Sequence, residues 1–231
     1  MTSLRYAAFV RCLPFAVFMA FVGFDEAFRL LAERGIIVAA ETTLYYLYPV
    51  KIVIVAFLLY RYRKEYTEIS LKGLKNLPVT LVVCCTGILV FTLWIHMDWS
   101  FGVMESPKGF NPNLFTNRNL QICMTVFRVG GAIVVVPIME ELFWRSFLVR
   151  YTIHSDFTKV PLGFFTLQSF IITVLLFGLE HNFIFAGMLA GAIYNIVLYS
   201  TRSLAQCMLA HSVTNLSLAV YVLYTGKWYF W

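Results

Sequence analysis

Residues 77–97 read LPVTLVVCCTGILVFTLWIHM and contain no Asp, Glu, Lys or Arg. A helix of about 20 mostly apolar residues spans the hydrocarbon core of a bilayer. Within lipid, such a helix satisfies its own backbone hydrogen bonds. The stretch therefore reads as a membrane span. Similar apolar runs lie on both sides of it, at residues 6–24, 43–60, 120–152, 161–181, 183–199 and 203–224. The run at 120–152 is too long for one straight crossing and should be kinked or tilted. The expected fold is all-α: a polytopic transmembrane helical bundle of about seven spans, with eight as the alternative count. Residues 25–41 read as an amphipathic or irregular surface segment. The aromatic tail Trp228-Tyr229-Phe230-Trp231 suits a membrane interface.

Composition agrees. Of 231 residues, 60% are hydrophobic and 13% charged, against about 25% charged in a soluble domain. The net charge of +6 does not point to nucleic acid, because the basic residues sit at the ends of apolar runs. The run after Arg5 resembles a signal peptide in position, but it contains Arg11 and Pro14 and reads as a retained first helix. Cys12, Cys84, Cys85, Cys123 and Cys207 lie inside apolar runs, form no metal-binding spacing and read as small packing residues.

Arg61, Arg63, Lys64, Lys72, Lys75, Arg150, Lys159 and Arg202 fall in loops on one side of a seven-span chain. Asp25, Glu26, Glu33 and Glu41 fall on the other. The positive-inside rule then expects a cytoplasmic N-terminus, in the plasma (inner) membrane, with the C-terminus outside. Two portions are distinguished: N-terminal helices at 1–119 and a helical core carrying the polar motifs at 120–231.

Ionisable groups at membrane depth are costly and call for explanation. Lys51 and Arg128 are lone cations, accounted for by snorkelling or by a distant acid. Gly187 and Gly191 read as a close helix-packing pair. The densest polar group is Glu140-Glu141…Arg145. On a helix Glu141 and Arg145 share a face and can pair, whereas Glu140 points about 100° away and is free to face something else. His181 follows Glu180 at the end of an apolar run, and His211 and Asn215 share a helix face. Measured from the basic-loop side at 1.5 Å per residue, Glu140 lies roughly 16 Å deep, His211 roughly 12 Å and His181 roughly 18 Å if its span starts near Ser169. Starting that span at Pro161 puts His181 about 12 Å deeper and weakens the coincidence.

This set suits hydrolysis of an acyl bond by water. Glu140 would act as general base, and His181 would hold the same water and pass a proton to the leaving amine. His211 and Asn215 would donate to the oxyanion. A zinc version, with Glu140, His181 and His211 as ligands, stays open at this point. Two non-proteolytic readings compete. One is a scaffold, immunity or regulatory protein that keeps these residues for packing. The other is a transporter or proton relay, which Asn215 disfavours because a carboxamide does not titrate.

Glu140-Glu141…Arg145, Phe177…His181 and His211…Asn215 together resemble the CAAX protease and bacteriocin-processing family, whose best-known members are CAAX prenyl endopeptidases of the Ras-converting type. The resemblance spans residues 120–219. It implies an intramembrane glutamate-type endopeptidase without metal or other cofactor, with Glu140 and His181 activating water and His211 and Asn215 forming the oxyanion site. Glu141 and Arg145 would support them. The implied partners are membrane lipid and a hydrophobic or lipid-modified polypeptide. Size and motif spacing are similar to those of members that accompany exosortase systems. Two positions depart from the family pattern: Ser146 where Gly is common, and Glu180 where a small or apolar residue is.

Overall fold

The computed structural model describes residues 3–38, 40–98 and 109–231. Ala39 and the Glu41 side chain, both within the expected surface segment, lie outside the described residues. All the regular structure described is helical. Six helices are long and apolar enough to cross a bilayer: α1 (Ser3–Glu33), α2 (Thr42–Arg61, whose first turns are 3-10 helix), α3 (Leu77–His96), α4 (Arg118–Tyr151), α6 (Ile184–Thr201) and α7 (Leu204–Thr225). A shorter apolar helix, α5 (Leu167–Leu179), makes seven. Leu81, Val82, Ile88 and Leu89 of α3 and Val126 and Val134 of α4 are exposed to the surroundings. Aliphatic surface of this extent is stable only against lipid, so the chain is an integral membrane protein.

Three boundaries differ from the sequence reading. The first helix does not stop at Phe24 but continues to Glu33. Nothing in 25–33 breaks a helix, and the end comes at Gly35, whose φ of +70° allows Ile36 N–H to reach Leu31 O at 3.0 Å in a Schellman-type closure. The fifth helix begins at Leu167, not Pro161. Pro161 and Gly163 (φ +73°) keep the preceding chain in turns, and the Thr166 hydroxyl caps the helix by accepting from Ser169 N–H at 3.1 Å. At about 20 Å, α5 is too short to cross the hydrocarbon core alone. The cysteines are also not all core residues: Cys207 is buried, but Cys85 and Cys123 are exposed.

The long α4 is continuous but widens twice into π-helix, at Gly131–Val135 and Leu142–Leu148. In the first, Val136 N–H bonds to Gly131 O, five residues back. The next donor in that register is Pro137, which has no N–H, so the Ala132 carbonyl is left free. Asn215 Nδ2 of α7 donates to it at 2.7 Å. Pro14 in α1 acts similarly: it frees the carbonyl of Val10, four residues back, which accepts from the Tyr66 hydroxyl at 3.0 Å.

The basic-loop end of α4 is tied down by charge. Arg11 grips Glu68 with two bonds of 2.7 Å. The Ser146 hydroxyl donates to the same carboxylate and accepts from Arg150 Nη2 at 2.9 Å. Ser146 thus bridges α1, the 62–76 loop and α4. Ser146→Gly is expected to lower stability by about 1–3 kcal/mol, the range for stranding buried polar partners, read as detergent-phase thermal unfolding. Burial pushes the Glu68 carboxyl up, but the Arg11 and Ser146 bonds outweigh it and hold the group below its ordinary 4.5. A depressed carboxyl adds stability above its unfolded value and loses it as pH falls through the folded value. Thermal stability should therefore drop on acidification below about pH 4.5, and Glu68→Gln should flatten that drop while lowering stability near neutrality.

Candidate active site

All seven helices contribute side chains to one cavity of about 250 Å³. Glu140 of α4, Glu180 and His181 after α5, and His211 and Asn215 of α7 all line it. Each has a local reason to be there. The Phe177 carbonyl, in the last turn of α5, has no helical donor, and His181 Nδ1 lies 2.7 Å from it. A carbonyl only accepts, so Nδ1 carries the proton and Nε2 is left with a lone pair. The glycines of α5 and α6 allow this placement. A Cβ on Gly187 would come within 3.0 Å of the Gly178 Cα and 3.2 Å of His181 Nδ1, so the small-residue packing read from Gly187 and Gly191 seats the histidine.

His211 stands between the two glutamates. Its Nδ1 is 3.0 Å from Glu141 Oε1 and its Nε2 is 3.9 Å from Glu140 Oε2. Glu140 is therefore not turned away from its neighbour's partner, as the 100° offset suggested; both carboxylates bracket one imidazole. Glu141 also meets Arg145 Nη1 at 3.3 Å, and Arg145 Nη2 donates to Gly191 O at 3.3 Å. Arg145 lies inside the second π segment and Glu141 immediately before it. Tyr194 stacks on His211 at 4.9 Å and fixes its plane. Glu140 Oε2 is buried and has no hydrogen-bond partner among the described residues. A buried carboxylate oxygen without a donor is costly and is what a water-activating base would present to the cavity.

Glu180 does not face the membrane interface. Its Oε2 accepts from Trp144 Nε1 at 3.0 Å, so the cavity holds a second carboxylate. Asn215 spends one amide hydrogen on Ala132 O. No group of three or more His, Cys, Asp or Glu side chains among the described residues is arranged to hold a metal ion, so the zinc arrangement weighed above is not assembled. The sequence reading missed Tyr194, Trp94 (5.2 Å from the His181 ring) and the Glu68 end of the Arg11 network. Arg11 inside an apolar run was the available signal for the last.

At the other end of the cavity, Lys51 is 5% exposed and lies over the Phe18 ring at 4.4 Å and the Tyr48 ring at 5.1 Å. Arg128 lies over Tyr48 at 4.7 Å and Trp231 at 5.8 Å. Neither forms an ion pair with a described residue; Lys51 has Asp25 as a more distant acid, and both cations stack on rings. Such contacts contribute about 2 kcal/mol when desolvated, less than the several kcal/mol that burying an ion costs. Phe230 and Trp231 fold back and line the same cavity.

The fold and the site define a class: a polytopic helical membrane protein with a buried Glu–His cavity between its helices. Residues 122–217 match the family model of the Type II CAAX prenyl endopeptidase Rce1-like proteins. That segment holds every motif residue named above and covers a little under half of the chain. No curated protein and no solved structure matches the chain.

Proposed function

We propose that the protein is an intramembrane endopeptidase that hydrolyses a peptide bond in a membrane-associated or lipid-modified polypeptide. The observation that carries this is the unpartnered Glu140 carboxylate facing His211 Nε2 at 3.9 Å in a cavity shared with His181 and Asn215. In this mechanism Glu140 takes a proton from water, whose oxygen attacks the carbonyl carbon. His181 Nε2 accepts a hydrogen bond from the water's other hydrogen, and the proton taken by Glu140 passes through His181 to the leaving nitrogen as the C–N bond breaks, which regenerates the carboxylate. His211 and Asn215 face the oxygen that gains charge. The family match supports the reaction class.

The test is hydrolysis in reconstituted vesicles of two peptide sets, one prenylated at a C-terminal cysteine and one acylated. The acylated set serves the exosortase-type resemblance, where prenyl groups are not expected. Cleavage of either, read by mass spectrometry, establishes the activity, and failure of both across varied sequences ends the proposal. Asn215→Ala is expected to cut turnover by about 10²-fold if it serves the oxyanion, with little change in KM. A scaffold protein would show no cleavage to lose. We place the N-terminus in the cytoplasm of a bacterial-type inner membrane, because the Arg11–Glu68 network and the basic loops share one end of the bundle; protease protection of terminal tags checks this.

A further inference from the structure

We infer that Lys51 and Arg128 form a binding subsite for an anionic group, a carboxylate or a phosphate, at the end of the cavity away from His181. It rests on the proteolytic reading only in taking that anion to be part of the substrate.

The two cations come from different helices, α2 and α4, and share the Tyr48 ring as a common wall. The Tyr48 hydroxyl is fixed by donating to the Arg128 carbonyl at 3.3 Å. Arg128 lines the cavity directly, and its Nε is buried with no partner among the described residues. Lys51 lies behind Phe18 and Tyr48, two rings that also line it. Asp25 of α1 is within electrostatic range of Lys51 but forms no ion pair with it. Counting Lys51, Arg128 and Arg29 as +1 each and Asp25 as −1 leaves the set net positive, which favours an anionic group beside Arg128. Arg128 offers a planar fork of donors suited to carboxylate or phosphate oxygens, and Lys51 a point charge.

The opposite end of the cavity carries Glu140 and Glu180, so the two ends differ in sign. A polypeptide lying in it is oriented with its anionic group at Arg128. Arg128 and Glu140 are twelve residues apart on one helix, at most about 18 Å along its axis. An extended peptide covers that in about five residues. The scissile bond should then fall within about five residues of the anionic group.

The experiment measures binding, so it stands apart from cleavage. Glu140→Gln protein in detergent is titrated with a fluorescent palmitoylated decapeptide ending in a free carboxylate, with its C-terminal amide, and with dodecyl phosphate as competitor. The acid is expected to bind about tenfold more tightly than the amide, and Lys51→Met and Arg128→Met should each erase that ratio. Lys51→Arg should retain it, which separates loss of charge from loss of fold. Equal affinity for acid and amide with displacement by dodecyl phosphate would assign the site to a lipid phosphate. Equal affinity without displacement, or an unchanged ratio in both Met variants, overturns the inference.

Discussion

Glu140→Gln is expected to lower peptide-bond hydrolysis by about 10³-fold while leaving the protein folded, and to raise its stability slightly. General-base catalysis contributes about 10²–10⁴-fold, and an amide of the same shape cannot take the proton. The stability expectation follows from the surroundings. The side chain is 4% exposed, its Oε2 has no donor, and the His211 Nε2 it faces is 3.9 Å away. Neutralising it removes the desolvation cost of an ill-paired charge and breaks no hydrogen bond to a described residue. Initial rates and thermal unfolding of the same preparation check both halves. Undiminished cleavage would remove Glu140 from the chemistry. Lost cleavage with a collapsed melting curve would make it structural instead.

The bundle was legible because lipid imposes one rule on every span. Residues 77–97, with no charge, gave α3 to within a residue. Where legibility failed, a competing local effect won. α1 ran past its apolar stretch because Asp25, Glu26 and Arg29 break no helix, and length in water is limited by Gly35 rather than by hydropathy. α5 lost its first turns to Pro161 and Gly163. That shortening placed the helix start at Leu167, two residues from the start that made the three depths coincide. The motif residues were legible as residue types at helical spacing. Their partners were not, because spacing along one helix says nothing of what the next helix presents. No sequence reading could put Glu141, not Glu140, on His211 Nδ1, or give Asn215 the carbonyl that Pro137 leaves idle. The kink anticipated in 120–152 took the form of two π segments. Glu140 and Glu141 both lie in the regular α stretch between those segments, so their offset of about 100° stands; one imidazole still meets both carboxylates, through its two ring nitrogens.

The second glutamate should behave in the opposite way. Arg145→Met is expected to destabilise the protein by about 3–5 kcal/mol, the cost of stripping the partner from a buried ion. Glu141 is 0% exposed and Arg145 1%, so water cannot replace the lost guanidinium. For a chain of this size the loss corresponds to a fall in Tm of about 6–20 °C. Activity should fall with it, but by a different route. Arg145 also packs over the Phe177 ring at 4.5 Å, and the Phe177 carbonyl holds His181. The imidazole should therefore lose its orientation before the bundle unfolds. The pairing makes a further, sharper expectation. If the damage comes from the stranded carboxylate, then Glu141→Gln added to Arg145→Met should recover much of the lost stability, since no buried charge is left without a counter-ion. It should not recover turnover, because His211 would no longer face an anion at Nδ1. If instead the double variant is as unstable as the sum of the two single ones, Arg145 acts through its contacts with Phe177, Tyr194 and Gly191, and the Glu141 pair contributes little to the fold.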